Sequence, residues 1–195
     1  PTLQIQLPNE SCTNLNQYML PRWDIRGMVH EETHFVFEIN VDSYIQQRLR
    51  NQIPDPTVHD AQLSVVNEGY ARYFPQSLTN SPIYYRDPYK PTNLDDDFMY
   101  RRYVAGDPDS VIENGTKAFA GAIWDVRKGL GGEMTDKLVI KSWSLLPTSK
   151  PDDLVVSAFV AIVDADWNLY NGAHKQVIKD QFAKHGIVCT PCADK

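Results

Sequence analysis

The 195-residue sequence lacks two features that mark large classes of protein. No apolar run approaches the roughly 18 to 20 residues that a bilayer-spanning helix needs, so the sequence predicts no membrane segment. The 19 basic residues are outnumbered by 25 acidic ones and are concentrated nowhere. A surface that binds nucleic acid or anionic lipid needs clustered lysine and arginine, so we expect neither nucleic acid nor a membrane as a partner.

Cysteine is also scarce, with only Cys12, Cys189 and Cys192. Three cysteines permit one disulfide and one free thiol, and the sequence does not decide the pairing. The C-x-x-C at 189–192 has no second pair of ligands nearby, and a structural zinc site needs about four. A covalent staple near the end of the chain is therefore favoured over a redox motif or a zinc ribbon.

The start of the chain and two short motifs bear on export from the cell. The chain begins at Pro1 rather than at a methionine, which suggests a processed or truncated product and leaves open whether a signal peptide or a whole domain preceded it. Asn9-Glu10-Ser11 and Asn114-Gly115-Thr116 match the acceptor sequence for N-glycosylation. We therefore expect a secreted, extracellular protein.

The apolar residues, 42% of the chain, recur mostly at helical intervals, which predicts a mainly α fold in a single domain. Helices are predicted over 24–40, 42–51, 57–73, 109–130, 135–146, 151–167 and 173–185. Pro75 is expected to end or kink the third helix. The predicted segments are a strand and loop at 1–20, helices at 21–80, a long loop at 81–107, a helical bundle at 108–188 and a tail at 189–195.

The first predicted helix contains His30-Glu31-Glu32-Thr33-His34, an H-E-x-x-H motif. Residues four apart lie one turn apart on the same helix face, so both imidazoles can bind one zinc ion while Glu31 reaches a water beside it. Because His and Glu are individually uncommon, a chance occurrence in a chain of this size is on the order of one in a hundred. An incidental pair of helical histidines is the less favoured interpretation.

A catalytic zinc ion takes three protein ligands and keeps a fourth position open, so two histidines call for one more donor. Glu68 is the candidate, thirty-four residues after His34 and within Asn67-Glu68-Gly69-Tyr70-Ala71-Arg72-Tyr73-Phe74. A carboxylate in so apolar a segment is costly unless it is paired or coordinated. An ordinary surface carboxylate is the plainer alternative, but the upstream motif favours a ligand.

The two motifs together resemble the gluzincins, in particular the thermolysin-like and fungalysin-like metallopeptidases. Segments 113–127, 164–173 and 182–187 are similar to later helices of that family, so the resemblance spans about residues 20 to 187. It implies a thermolysin-like C-terminal helical subdomain that carries the zinc-binding helix, with minimal N-terminal β structure. It also implies Zn²⁺ held by His30, His34 and Glu68, and Glu31 as general base in the hydrolysis of a peptide or protein substrate by a metal-activated water.

The sequence departs from that family at three places. An aspartate that orients the first zinc-bound imidazole is replaced by Arg72, a type of loss that costs about 10- to 100-fold in affinity or activity. The histidine that stabilises the oxyanion corresponds to Ile112, and losing such a donor costs about 10²- to 10³-fold in rate. Only twenty-nine residues precede His30. The substrate cleft is therefore expected to be abbreviated, or to be completed by a missing N-terminal region or a partner chain.

The sequence thus supports two functions. One is a zinc-dependent endopeptidase, which Glu31 favours because a purely structural zinc site needs no general base. The other is a peptidase-derived module that retains the zinc site and acts as a binding or structural component, which Arg72 and Ile112 favour. No second metal site is predicted from the remaining histidines and the acidic run, namely His59, His174, His185 and 95–97.

Overall fold

The computed structural model describes residues 25–41, 55–84, 91–146 and 153–189, and this part of the chain is mainly α, as predicted. Its elements are α1 (Ile25–Asn40), α2 (Pro56–Thr79), β1 (Ile83–Tyr84), β2 (Thr92–Asn93), α3 (Asp109–Leu130), α4 (Gly132–Trp143), α5 (Leu154–Tyr170) and α6 (Lys175–Lys184). The predicted strand near the start and the predicted helix at 42–51 lie outside the described residues. None of these helices is both long and apolar enough to cross a bilayer.

The ends of the helices follow from local chemistry. The side chain of Asp153 accepts hydrogen bonds from the N–H groups of Val155 and Val156, which caps the start of α5. Gly131, at φ +87°, separates α3 from α4 in a conformation that other residues rarely adopt. Asn171 ends α5 in the left-handed region. The predicted bounds of α1 and α3 to α6 lie within three residues of the observed ones.

Of the two effects predicted for Pro75, an end or a kink, the end is wrong, because α2 continues through Pro75 to Thr79. Tertiary contacts hold this last stretch. Ser77 and Tyr73 both donate hydrogen bonds to the carboxylate of Asp136 on α4, at 2.6 to 2.9 Å. Arg127 on α3 donates to the hydroxyl of Ser77 at 3.0 Å. These buried bonds offset the helix-breaking tendency of the proline.

The core lies around α2, which packs against α1, α3 and α5. The fully buried ring of Tyr70 contacts the rings of Phe37 on α1 and Phe119 on α3, with centroids 5.5 and 5.2 Å apart. Phe119 then contacts Phe182 on α6 at 6.0 Å. This chain of aromatic contacts fixes the register of α1 against α2, and so it sets the positions of the side chains described below.

The predicted surface loop at 81–107 is partly buried. In its described part, β1 and β2 pair antiparallel, with Ile83 opposite Asn93 and Tyr84 opposite Thr92. Leu94 is fully buried, and Tyr84 is 8% exposed. These buried side chains hold the loop against the helices, while most of its other described residues are at least partly exposed at the surface. At the other end of the described chain, Cys189 forms a disulfide whose partner lies outside the described residues.

Candidate metal centre

The three predicted ligands converge between α1 and α2. His30 and His34 lie one turn apart on α1, and their Nε2 atoms are 3.1 Å from each other. The carboxylate of Glu68 on α2 places Oε1 3.6 Å from Nε2 of His34 and Oε2 3.8 Å from Nε2 of His30. One potential ligand atom from each residue lies within 4.8 Å of the other two.

The inward face of α1 explains how the sequence produces this arrangement. His30, His34, Phe37 and Val41 follow one another at intervals of four, three and four residues, which places them along one side of a helix. Phe37 and Val41 are buried against the core. The apolar half of this stripe anchors α1 on α2, and the same packing turns the two imidazoles towards Glu68.

The outer nitrogen of each imidazole is committed to a hydrogen bond. Nδ1 of His30 donates to the backbone carbonyl of Ala71 at 2.9 Å. Nδ1 of His34 donates to Oδ1 of Asn67, also at 2.9 Å. Carbonyl oxygens only accept, so each neutral ring carries its proton on Nδ1 and a lone pair on Nε2. Two lone pairs then face each other across 3.1 Å, an unfavourable arrangement that a shared cation would relieve.

The donor set and its dimensions fit Zn²⁺. Zinc binds imidazole nitrogen and carboxylate oxygen at about 2.0 to 2.2 Å, so ligand atoms around a tetrahedral ion are about 3.3 to 3.5 Å apart. The two Nε2 atoms are 3.1 Å apart, and Oε1 and Oε2 of Glu68 lie 3.6 and 3.8 Å from His34 and His30 respectively. With one donor atom taken from each residue, all three atoms lie within 4.8 Å of one another, so side-chain adjustment would bring them to the distances around a zinc ion. Hydrogen bonds to both outer nitrogens are the usual support of metal-binding histidines.

The electrostatics of the site favour neutral, metal-binding imidazole. Burial is the largest influence on the pKa of His30 and lowers it, and the neighbouring His34 acts in the same direction. The carboxylate of Glu68 opposes them, but the pKa of His30 remains below its ordinary value. A ring that resists protonation keeps its Nε2 lone pair available to a cation.

Arg72 lies close to the site without contacting His30. Its buried guanidinium donates two hydrogen bonds to Glu113 on α3, at 3.0 and 2.7 Å. Its Nε lies 4.0 Å from Oε2 of Glu68. The orienting acceptor that the sequence lacks at position 72 is supplied instead by the carbonyl of Ala71. Residue-type patterns miss such an acceptor because every residue carries a backbone carbonyl.

Glu31 is exposed to solvent on α1, and its negative charge acts to raise the pKa of His30, so it lies within electrostatic range of that ring. Ile112 is partly buried and packs against the hydrophobic core. It therefore presents no hydrogen-bond donor to a substrate. Tyr84, on β1, places its hydroxyl 3.4 Å from Nδ1 of His30.

The remaining described histidines are engaged elsewhere. Nδ1 of His59 pairs with Asp60, that of His174 pairs with Asp166, and that of His185 donates to the carbonyl of Phe98, at 2.8 to 2.9 Å. Among the described residues, only the His30, His34 and Glu68 group has metal-ligand geometry. A cavity of about 260 Å³ adjoins this group and gives access to it, lined by His34, Asp60, Leu63, Ser64, Asn67 and Glu68.

No family model, curated protein or solved structure matches this chain. The chemistry of the protein must therefore be inferred from the site itself.

Proposed function

We propose that this protein is a zinc-dependent peptidase of the gluzincin type, built on a thermolysin-like C-terminal helical subdomain. His30, His34 and Glu68 hold the ion, and Glu31 is the general base. The observation that carries the proposal is the pair of Nε2 atoms 3.1 Å apart, with an oxygen of Glu68 within 3.8 Å of each. Two imidazoles and one carboxylate form the ligand set of hydrolytic zinc sites that keep a fourth position open.

Zinc, when bound, would acidify a water molecule and polarise the carbonyl of the substrate. The protein supplies the rest. The carbonyl of Ala71 and the amide of Asn67 hold the two imidazoles in the tautomer that leaves Nε2 free for the ion. Glu31 is exposed and near His30, so its carboxylate can take a proton from water and return it to the leaving amine nitrogen.

The substrate in this proposal is a peptide or protein, and the protein acts outside the cell. Asn114, the acceptor residue of one glycosylation sequence, is exposed on α3, as attachment of a glycan requires. An additional N-terminal region or a partner chain completes the substrate cleft. Neither nucleic acid nor a membrane is part of the proposal.

One observation favours a second function, a zinc-binding module without catalysis. Ile112 packs its apolar side chain against the core at the position where the resemblance implies an oxyanion-stabilising histidine. Without such a donor the developing negative charge on the substrate has less stabilisation. Under this second function the protein binds zinc and serves as a binding or structural component.

Two measurements separate these functions. The first is the zinc content of the purified protein, compared with that of His30→Ala; the wild type should hold one zinc ion and the variant should lose it. The second is cleavage of a mixed peptide library with and without a chelator, using wild type, Glu31→Gln and Glu32→Gln. Glu32 is the matched control because it is an equally exposed glutamate on the same helix.

For a peptidase, cleavage should stop with the chelator and fall about 10²- to 10⁴-fold in Glu31→Gln, the range for loss of a general base. Glu32→Gln should cleave normally, and all three proteins should bind zinc. Zinc binding without cleavage would favour the module. Cleavage that survives either the chelator or the loss of Glu31 would exclude this mechanism.

A further inference from the structure

The proline inside α2 lies one turn beyond the residue whose carbonyl orients His30. In a regular helix the carbonyl of residue 71 accepts a hydrogen bond from the N–H of residue 75. Residue 75 is Pro75, which has no N–H. The helix continues for another four residues to Thr79, so the proline does not serve to end it.

The carbonyl of Ala71 is the acceptor that Nδ1 of His30 contacts at 2.9 Å. The hydroxyl of Tyr84 lies farther from the same nitrogen, at 3.4 Å. Both Ala71 and Pro75 are buried, which limits competition from solvent for this oxygen. Because position 75 has no N–H, the carbonyl oxygen of Ala71 receives no helical hydrogen bond from it. His30 is the donor that contacts this buried oxygen.

We propose that Pro75 is a positioning residue for the metal centre, because its backbone nitrogen carries no hydrogen to donate. It keeps the carbonyl of Ala71 available to His30, in place of the acidic side chain that the family resemblance would put at Arg72. The hydrogen bond fixes the ring orientation and the Nδ1–H tautomer, so that Nε2 faces the ion. This inference rests on the proposed zinc site.

The test is the zinc affinity of Pro75→Ala, measured by competition with a chromogenic chelator. Alanine at 75 supplies an N–H to the carbonyl of Ala71 and competes with His30. We expect the affinity to fall about 10- to 100-fold, the usual effect of losing the hydrogen bond to a metal-binding imidazole. The matched control is Pro56→Ala, because Pro56 lies in the first turn of the same helix, where an N–H has no helical partner. The zinc affinity of Pro56→Ala should equal that of wild type.

A second variant separates the missing N–H from the proline ring. Incorporation of the α-hydroxy acid of alanine at position 75 gives an ester, which lacks both the ring and the N–H. We expect this variant to keep wild-type affinity. An ester that binds zinc as weakly as Pro75→Ala, or a Pro75→Ala protein that binds as tightly as wild type, would overturn the inference.

The third measurement needs no metal and also covers the case in which Pro75→Ala fails to fold. Long-range ¹H–¹⁵N spectra of the metal-free protein report which nitrogen of His30 carries the proton. Wild type and the ester should show the Nδ1–H tautomer, and any folded Pro75→Ala protein should show a mixture. A wild-type ring protonated on Nε2 would overturn the inference. Wild type that shows the Nδ1–H tautomer but binds no zinc would instead defeat only the proposed function.

Discussion

At the scale of single residues, the ion pair between Arg72 and Glu113 explains how a positive charge can lie beside the candidate metal centre. Arg72 is 1% exposed, and its two hydrogen bonds to Glu113 offset the cost of burying the guanidinium. Its Nε atom is buried without a hydrogen-bond partner. Glu113 is therefore the main compensation for this charge within the described part of the chain.

We predict that Glu113→Gln lowers the free energy of unfolding by about 1 to 3 kcal/mol, the usual cost of leaving a buried donor without its partner. The side chain of Glu113 is 41% exposed, so water can replace part of the lost interaction, and the lower half of the range is expected. Urea denaturation measures the change. The control is Glu133→Gln, which removes an exposed pair with Lys137 and should leave the midpoint unchanged. Equal effects in both variants would contradict the prediction.

The same pair should make stability depend on pH. The hydrogen bond from Arg72 is the largest influence on the pKa of Glu113 and holds it below its ordinary value of 4.5. A lowered pKa in the folded state stabilises the protein fully above the ordinary value, and this contribution is lost as the pH falls through the folded pKa. The difference in stability between wild type and Glu113→Gln should therefore shrink as the pH falls below 4.5.

At the scale of helices, α1 has fewer packing partners than α2 within the described part of the chain. There it packs mainly against α2. Its outer face leaves four large apolar side chains exposed, namely Ile25, Met28, Phe35 and Ile39. An element with few buried contacts opens more easily than the core. A metal ion held by two residues of α1 and one of α2 would link the helices directly.

We predict that zinc slows amide hydrogen exchange in α1 by up to about 100-fold at a free zinc concentration of one hundred times Kd, because the ion binds only the closed form. Exchange in α5, which carries no proposed ligand, should change much less. Hydrogen-exchange mass spectrometry with and without zinc measures both helices. His34→Ala should abolish the effect in α1. An equal slowing of α1 and α5, or slowing that survives in His34→Ala, would contradict the prediction.

The helices themselves could largely be predicted from the sequence, because apolar periodicity and capping residues are local signals. The continuation of α2 past Pro75 could not, because it depends on bonds from Tyr73 and Ser77 to Asp136, about sixty residues away. The candidate site, too, could be predicted only in part. His30, His34 and Glu68 could be predicted to converge because the H-E-x-x-H spacing and the later glutamate carry that information.

The partners of His30 and Arg72 could not be predicted from the sequence, for two physical reasons. The acceptor for His30 is a backbone carbonyl, which leaves no mark on residue type. The partner of Arg72 comes from α3, which only the assembled fold brings close. The need for glycine at Gly69, directly after Glu68, is visible only in three dimensions. A Cβ there would lie 2.5 Å from the ring of Phe119, so the close approach of α2 and α3 requires glycine.

At the scale of the whole molecule, polar bonds attach the loop at 91–107 to distant helices. Tyr100 donates its hydroxyl to the carboxylate of Asp153, 2.9 Å from each oxygen. Burial raises the pKa of the Tyr100 phenol, and Asp153 raises it further, so the hydroxyl stays protonated and remains a donor. Asp153 also caps α5. A single buried carboxylate therefore joins the loop to the start of the most apolar helix.

We predict that Tyr100→Phe lowers the free energy of unfolding by about 1 to 2 kcal/mol, because the buried Asp153 loses a donor while the ring still fills its space. The control is Tyr103→Phe, whose hydroxyl donates to the carbonyl of Asp107 within the same loop, at 3.2 Å. Its effect should be smaller, because a local bond does not join distant elements. Thermal or urea unfolding compares the two variants.

Zinc affinity should be unchanged in both variants, because neither Tyr100 nor Tyr103 supports the proposed ligands. A loss of affinity in Tyr100→Phe without a loss of stability would show that the loop acts on the metal centre rather than on the fold.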